Sequence, residues 1–251
     1  MLLSAAQLLA IAIELTLMIG LPVALAICWC RRTRVPRSAP LIPGAFYLLT
    51  LLVNVPLTAV LYPRLGLSPV LLTALTALTY GVCEELASWL SFRVGSLRRH
   101  RDGDGAIAAG IGHGGLESML FGLSYAAGAI AALIAPDALP ETTRAALVGA
   151  DPWIFIGTGL DRLPALAGHL VFALLIVLAY RRGVRYLWLA IVAHAALDFT
   201  MFMVRDYAPT AVFIVVWALV GVLSLLLARR LYGGLPSGQP LSDKRGTAAD
   251  G

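Results

Sequence analysis

The sequence contains few charged residues. Asp, Glu, Lys and Arg make up only 13% of its 251 residues, whereas they make up about a quarter of a typical soluble domain. Hydrophobic residues make up 59%, and the mean hydropathy is +0.85. This composition excludes an ordinary soluble domain, and no stretch between the apolar segments is long enough to form one. We therefore predict an all-α fold, a polytopic membrane helix bundle.

Cysteine is also scarce, and the charge imbalance is small. The three cysteines are Cys28, Cys30 and Cys83, an odd number within or beside apolar segments, which excludes a disulfide framework. The pI near 9.4 reflects basic residues placed beside apolar segments, so it indicates membrane orientation and no nucleic-acid partner. The first apolar segment lacks a basic start and a cleavage site, which predicts a retained helix and not a signal peptide.

Seven apolar segments are long enough to be membrane helices, which need about 20 residues each. A long loop follows the fourth, and an additional interfacial or re-entrant helix within residues 145–160 remains an alternative. We predict one transmembrane domain over residues 1–232, with the polar motifs in 69–204 and a disordered cytoplasmic tail over 233–251. The predicted spans are residues 4–29, 41–62, 69–92, 106–134, 163–180, 186–204 and 208–228.

The basic residues alternate between the connections of these spans. Fifteen of the 19 Lys and Arg residues lie in the connections after spans 1, 3 and 5 and in the C-terminal segment. The other four are Arg64, Arg144, Arg162 and Arg205. By the positive-inside rule, the N-terminus is outside and the C-terminus is cytoplasmic. We expect an integral protein of a bacterial plasma membrane.

Apart from Glu14, which stands alone in the first span, ionisable residues interrupt four of the predicted spans. Such residues are costly in hydrocarbon and usually mark functional sites. Each lies between seven and twelve residues from the basic-loop end of its span, which is a depth of ~10–18 Å. We therefore predict that they meet around one cavity opening towards the cytoplasmic half. They are Glu84 and Glu85, His113 and Glu117, His169, and His194 and Asp198.

Structural explanations exist for each of these residues. The glutamate pair is compatible with a buried ion pair. His169 is compatible with a core histidine whose ring nitrogens are hydrogen-bonded. The spacing i,i+4 places His113 with Glu117 and His194 with Asp198 on one helix face, which suits local hydrogen bonding as well as joint ligation. The glycines around His113 suit close helix packing, and Asn54 with Pro56 in the second span predicts a kink.

At these residues the chain resembles YhfC-type membrane peptidases, within a larger group that includes the CPBP (CAAX protease and bacteriocin-processing) and PrsW-like intramembrane metalloproteases. The resemblance covers about residues 75–200. It departs from CPBP-like members after the glutamate pair, where the first basic residue is Arg93. The matching pieces are Glu84-Glu85, the stretch 112–117 around His113, Asp161-Arg162 with His169, and His194 with Asp198.

The resemblance implies an intramembrane glutamate and histidine site that hydrolyses peptide bonds. Peptide hydrolysis requires an activated water and stabilisation of an oxyanion, which a metal and a neighbouring carboxylate can supply. We assign Glu84 as general base, with Glu85 as the alternative. His113, His169 and His194 are assigned as metal ligands or oxyanion stabilisers, and Glu117 and Asp198 as ligands or orienting groups. Zinc is the expected metal, although water activation without a tightly held metal remains open.

Two other function classes fit the same residues. A proton- or ion-coupled transporter would use the acids and histidines as a relay, but the sequence shows no internal repeat and no matched pair of broken helices. A non-enzymatic membrane scaffold would retain the fold without turnover. For the hydrolase, the expected partners are the lipid bilayer and a membrane-associated peptide or protein substrate.

Overall fold

The computed structural model describes residues 3–237, which contain eight helices and no strand. Seven of the helices are long and apolar enough to cross a membrane, as the sequence predicted. In chain order the helices are α1 (Ala5–Thr33), α2 (Ser38–Leu65), α3 (Pro69–Ser91), α4 (Gly103–Ile134), the short α5 (Glu141–Gly149), α6 (Pro152–Arg182), α7 (Arg185–Tyr207) and α8 (Thr210–Gly233).

Side-chain caps fix where several helices begin. Ser4 and Gln7 form a capping box at the start of α1, and the Ser68 hydroxyl accepts a hydrogen bond from the first turn of α3. Asp102 accepts from the Gly105 amide at the start of α4. These residues satisfy backbone N–H groups that have no partner within the helix.

The helix α6 is longer than the predicted fifth span, which was placed at residues 163–180. It begins at Pro152, because Asp151 caps it and proline is favoured at a first helical position. Of residues 145–160, the first part belongs to α5 and the rest extends α6. Pro164 lies inside α6, and the Trp217 indole of α8 donates to the carbonyl of Asp161, one turn earlier.

Two membrane helices contain a π-helical segment beside a proline. In α1 the segment is Thr16–Gly20, just before Pro22, and in α2 it is Pro56–Leu61. Proline removes one backbone donor and disturbs the regular hydrogen bonding of the helix. The sequence predicted a kink around Asn54 and Pro56. In the structure the helix changes there from α-helical to π-helical geometry.

The helix α6 occupies the centre of the bundle. In its most apolar stretch, 78% of the residues are buried, against 33% or less in every other candidate span. The helices around it leave much of their surface to the surroundings, as expected for a membrane bundle. The largest buried hydrophobic cluster lies at the end of the bundle that carries the basic loops, and Phe92, Leu97, Leu174, Ile176 and Val177 are fully enclosed within it.

The first residues of the predicted tail pack against the bundle. Leu235 is buried in the large cluster, and the Pro236 carbonyl accepts a hydrogen bond from the Gly103 amide. Arg182 donates to the Gly234 carbonyl. The predicted disorder of residues 238–251 lies outside the described part of the chain.

Candidate active site

Glu84 and His113 meet in the interior of the bundle. Glu84 extends from α3 and His113 from α4, and His113 Nε2 lies 3.2 Å from Glu84 Oε2. The Asn54 amide, from α2, donates to Glu84 Oε1 at 3.3 Å. All three side chains are buried, so both carboxylate oxygens have fixed partners away from bulk water.

A second carboxylate and histidine pair lies beside the first. His169 Nε2 of α6 is 2.8 Å from Glu117 Oε2 of α4, and Arg162 contacts the other oxygen of Glu117 at 3.3 Å. The rings of His113 and His169 stack with centroids 4.7 Å apart. Arg162 also contacts Asp161 at 2.8 Å, so it is held between two acids.

Together the two pairs form a set of four potential metal ligands. One donor atom from each of Glu84, His113, Glu117 and His169 can be chosen so that all lie within 4.8 Å of one another. Imidazole nitrogen and carboxylate oxygen bind zinc and several other divalent metals, so the donor set fits a metal of this class. The residues come from three helices, which makes the site a product of tertiary packing.

His194 lies beside this set and is not one of its members. Its Nδ1 is 2.8 Å from Glu85 Oε1, and its Nε2 is 3.5 Å from Asp198 and 3.9 Å from Glu84. The ring of Phe172 stacks on it, with centroids 4.6 Å apart. Glu85 faces His194 and does not line the cavity. The seven residues singled out in the sequence therefore lie in one contiguous network.

Glycines allow the four helices to approach closely enough for these contacts. A Cβ on Gly110 would lie 2.8 Å from the His169 carbonyl, and one on Gly114 would lie 2.6 Å from the His169 ring. A Cβ on Gly81 would lie 2.8 Å from the Ile191 carbonyl of α7. Close helix packing at these glycines is therefore also what forms the site, because the small residues let the polar groups come together.

A cavity of about 360 Å³ extends from His169 and His194, and His113 lies behind its wall. From Glu84 and His194 it continues past Asn54, Phe121 and Arg205, towards the ends of the helices that carry the connections 66–68, 135–151 and 208–209. Those ends lie opposite the basic loops. The prediction that the cavity opens towards the basic, cytoplasmic half is therefore wrong, because the hydrophobic cluster fills that half.

Sequence analysis missed two residues of the site. Asn54 was assigned only to a kink, and Arg162 was counted as a basic residue of an outside loop. In the structure Arg162 lies within α6 and lines the cavity. A polar amide in the middle of an apolar span was the available signal for Asn54, whereas Arg162 was hidden by the late start assigned to its helix.

Comparison with known proteins gives one match. No curated protein and no solved structure shows significant similarity to the chain. The family model described as YhfC intramembrane metalloprotease matches residues 17–223, a range that includes all seven site residues and most of the bundle. The chain belongs to the YhfC intramembrane metalloprotease family.

Proposed function

We propose that this protein is an intramembrane metallopeptidase that hydrolyses a peptide bond in or near the membrane by means of an activated water. The observation that carries the proposal is the set formed by Glu84, His113, Glu117 and His169, of which all but His113 line the inner end of the cavity. Family membership supports the same reaction class. Four ionisable groups clustered inside a membrane bundle are costly, and such groups usually mark a functional site.

In this proposal, His113, Glu117 and His169 hold the metal. Catalytic zinc sites commonly use three protein ligands and leave one position open, and zinc is our first candidate. A bound metal would supply Lewis acidity towards the water and the substrate carbonyl. Arg162 and the stacked histidine rings restrain the ligand side chains before any metal arrives.

Glu84 is the proposed general base. It lines the cavity, and Asn54 and His113 hold its two oxygens. It is therefore positioned to accept a proton from water and to return it to the leaving amine. Glu85 does not line the cavity, so we assign it to orienting His194 through Nδ1. A protonated His194 Nε2, between Glu84 and Asp198, would donate to the oxyanion.

Glu84→Gln tests this assignment. The purified protein is placed in liposomes with a library of membrane-anchored peptides, and cleavage is followed by mass spectrometry. We expect cleavage by the wild type and a loss of about 100-fold or more in Glu84→Gln, because the amide cannot accept the proton. Glu141→Gln, at an exposed position on α5, is the matched control and should cleave normally.

Two results would contradict the hydrolase. Proton-coupled flux that Glu84→Gln removes, without cleavage by either form, would identify a transporter. Neither cleavage nor flux with any probe would identify a scaffold. Thermal melting of both variants confirms that they are folded, so a negative result cannot be attributed to unfolding.

A further inference from the structure

We propose that the substrate peptide reaches the site from the face of the bundle opposite the basic loops. The positive-inside rule makes that face extracytoplasmic. The substrate class is therefore a membrane-anchored peptide whose scissile bond is presented on the extracytoplasmic side. The naming of a substrate rests on the proposed peptidase function, whereas the direction of access rests on the geometry alone.

Packed protein closes the basic-loop side of the site. A separate apolar groove between α1, α2 and α4 lies in this half, but none of the seven site residues lines it. In α4, the residues before His113 from Gly103 to Ile111 are buried, and in α6 the residues after His169 from Val171 to Ala179 are buried. In α7, Leu187, Ala190 and Ile191 lie buried on the same side of His194. Interiors packed in this way contain few voids larger than a water molecule.

The connection between α3 and α4 seals this end further. The Arg101 guanidinium donates two hydrogen bonds to the Phe92 carbonyl, at 3.0 and 3.1 Å, and lies 4.0 Å from the centre of the Tyr180 ring. Tyr180 in turn donates to the Trp89 carbonyl. With Leu97 fully buried, the loop that carries much of the positive charge forms a packed cover over the site.

On the opposite side, burial decreases with distance from the histidines. His113, His169 and His194 are at most 6% exposed. Further along the same cavity wall, Phe121 and Tyr125 on α4 are each 44% exposed. Arg205, near the end of α7, is also exposed. This gradient indicates a closed inner end and a more exposed outer end.

The outer part of the cavity suits an apolar peptide segment near a membrane surface. Its wall carries the aromatic side chains Phe121, Tyr125, Phe202 and Phe213. Aromatic side chains are favoured at membrane and water interfaces. Arg162 and Arg205 carry the positive charge of the wall, and each contacts an aspartate, Asp161 and Asp206 respectively. The wall therefore combines apolar surface with arginines whose charge is balanced by a neighbouring aspartate.

Site-directed thiol labelling tests the direction of access. In a background with the three native cysteines replaced by alanine, Ala165→Cys places a thiol in the cavity wall. Tyr207→Cys and Arg185→Cys mark the two faces, because both positions are exposed at opposite ends of α7. Each variant is treated with a membrane-impermeant maleimide in sealed right-side-out and inside-out vesicles, and a permeant maleimide measures the total reactive thiol.

We expect Ala165→Cys to be labelled from the side of Tyr207→Cys, in right-side-out vesicles, and protected from the side of Arg185→Cys. Labelling only from the side of Arg185→Cys would overturn the proposal. Reaction with the permeant reagent alone would also overturn it, because it would indicate access through the lipid. Thr158→Cys, also in the cavity wall, replaces Ala165→Cys if that variant does not fold.

Labelling does not require turnover, so the two proposals can fail separately. Labelling of Ala165→Cys from the side of Tyr207→Cys, without peptide cleavage by the wild type, would contradict the peptidase function and support the direction of access. Cleavage by the wild type that is lost in Glu84→Gln, together with labelling from the side of Arg185→Cys, would support the peptidase and overturn the proposed direction of access. Where cleavage is established, modification of Ala165→Cys from the Tyr207 side should also block it.

Discussion

At the scale of single residues, His113 and His194 have similar burial but different surroundings. His113 faces Glu84 and stacks on His169, so it belongs to a set of donors that can close around one ion. His194 is bonded through Nδ1 to Glu85 and stacked on Phe172. A histidine with one nitrogen fixed by a carboxylate has a defined orientation. These differences support the proposed ligand role of His113 and the proposed role of His194 towards the substrate.

Metal content should distinguish these two histidines. We expect His113→Ala and His169→Ala to lose bound metal, because each removes a buried ligand. His194→Ala should retain metal while losing cleavage. The measurement is metal per protein by mass spectrometry after purification, with His100→Ala in the loop before α4 as the control. Metal lost from His194→Ala but retained in His113→Ala would reverse the assignment.

Asn54 should affect turnover through Glu84. Its amide is buried against Glu84 Oε1, and hydrogen bonds to charged groups contribute about 1.5–3 kcal/mol. We expect Asn54→Leu, which keeps the number and branching of the side-chain heavy atoms, to lower kcat/KM by roughly 10- to 100-fold with little change in metal content. Asn54→Gln, which can reach the same oxygen, should recover part of the activity. Unchanged kcat/KM in Asn54→Leu would show that Glu84 is positioned without it.

At the scale of helices, the close approach of α4 to α2 and α6 determines whether the site can form. Gly110 and Gly114 bring α4 against His169 on one side. On the other side, Gly112 lies against the backbone of Pro40 in α2. Backbone atoms cannot rotate away as side chains do, so added volume at these positions must move a helix. The glycine-rich stretch around His113 therefore belongs to the site, although none of its glycines supplies a ligand.

Gly112→Ala should be destabilising. The added Cβ would lie 1.9 Å from the Pro40 carbonyl oxygen, and overpacking typically costs about 1–3 kcal/mol. We expect a lower melting temperature in detergent and reduced metal retention. Gly128→Ala, on the same helix with nothing within 4 Å of the added Cβ, should leave both unchanged or raise the melting temperature. Equal melting of the two variants would contradict the close packing of α2 and α4.

At the scale of the whole molecule, the bundle is closed at one end and open at the other. The closed end carries the connections rich in arginine, and the cavity widens towards the other end. Arg162 lies in the cavity wall and not in a loop, so it does not count against the charge difference between the two sets of connections. Orientation in the membrane therefore decides which compartment supplies the substrate.

Reporter fusions should place the two ends in different compartments. We expect a reporter after Pro236 to be cytoplasmic and one inserted after Gly149, at the end of α5, to be extracytoplasmic. An alkaline phosphatase and fluorescent protein pair reads both sides in the same cells. Both reporters on one side would contradict seven spans. An inverted result would retain the bundle and reverse the compartment of the substrate.

The sequence by itself determined the membrane class, the number of spans and seven of the polar residues that the structure brings together. Hydropathy is a local property, and a polar residue inside a span is visible without knowing its neighbours. The start of α6 was predicted late, because Asp151 and Pro152 were assigned to the loop although together they begin a helix. As a result, Arg162 was assigned to the wrong element.

Only the tertiary structure decided which polar groups meet. His113 is paired with Glu84 of α3, and Glu117 with His169 of α6, although the spacing was also compatible with a local hydrogen bond between His113 and Glu117. Pairing across helices depends on how each helix is rotated about its axis and how closely glycines let it approach its neighbours. The direction of the cavity depends on which end of the bundle the side chains fill. The sequence pattern gives the depth of each residue along its helix. It gives neither the rotation of that helix about its axis nor how closely neighbouring helices pack.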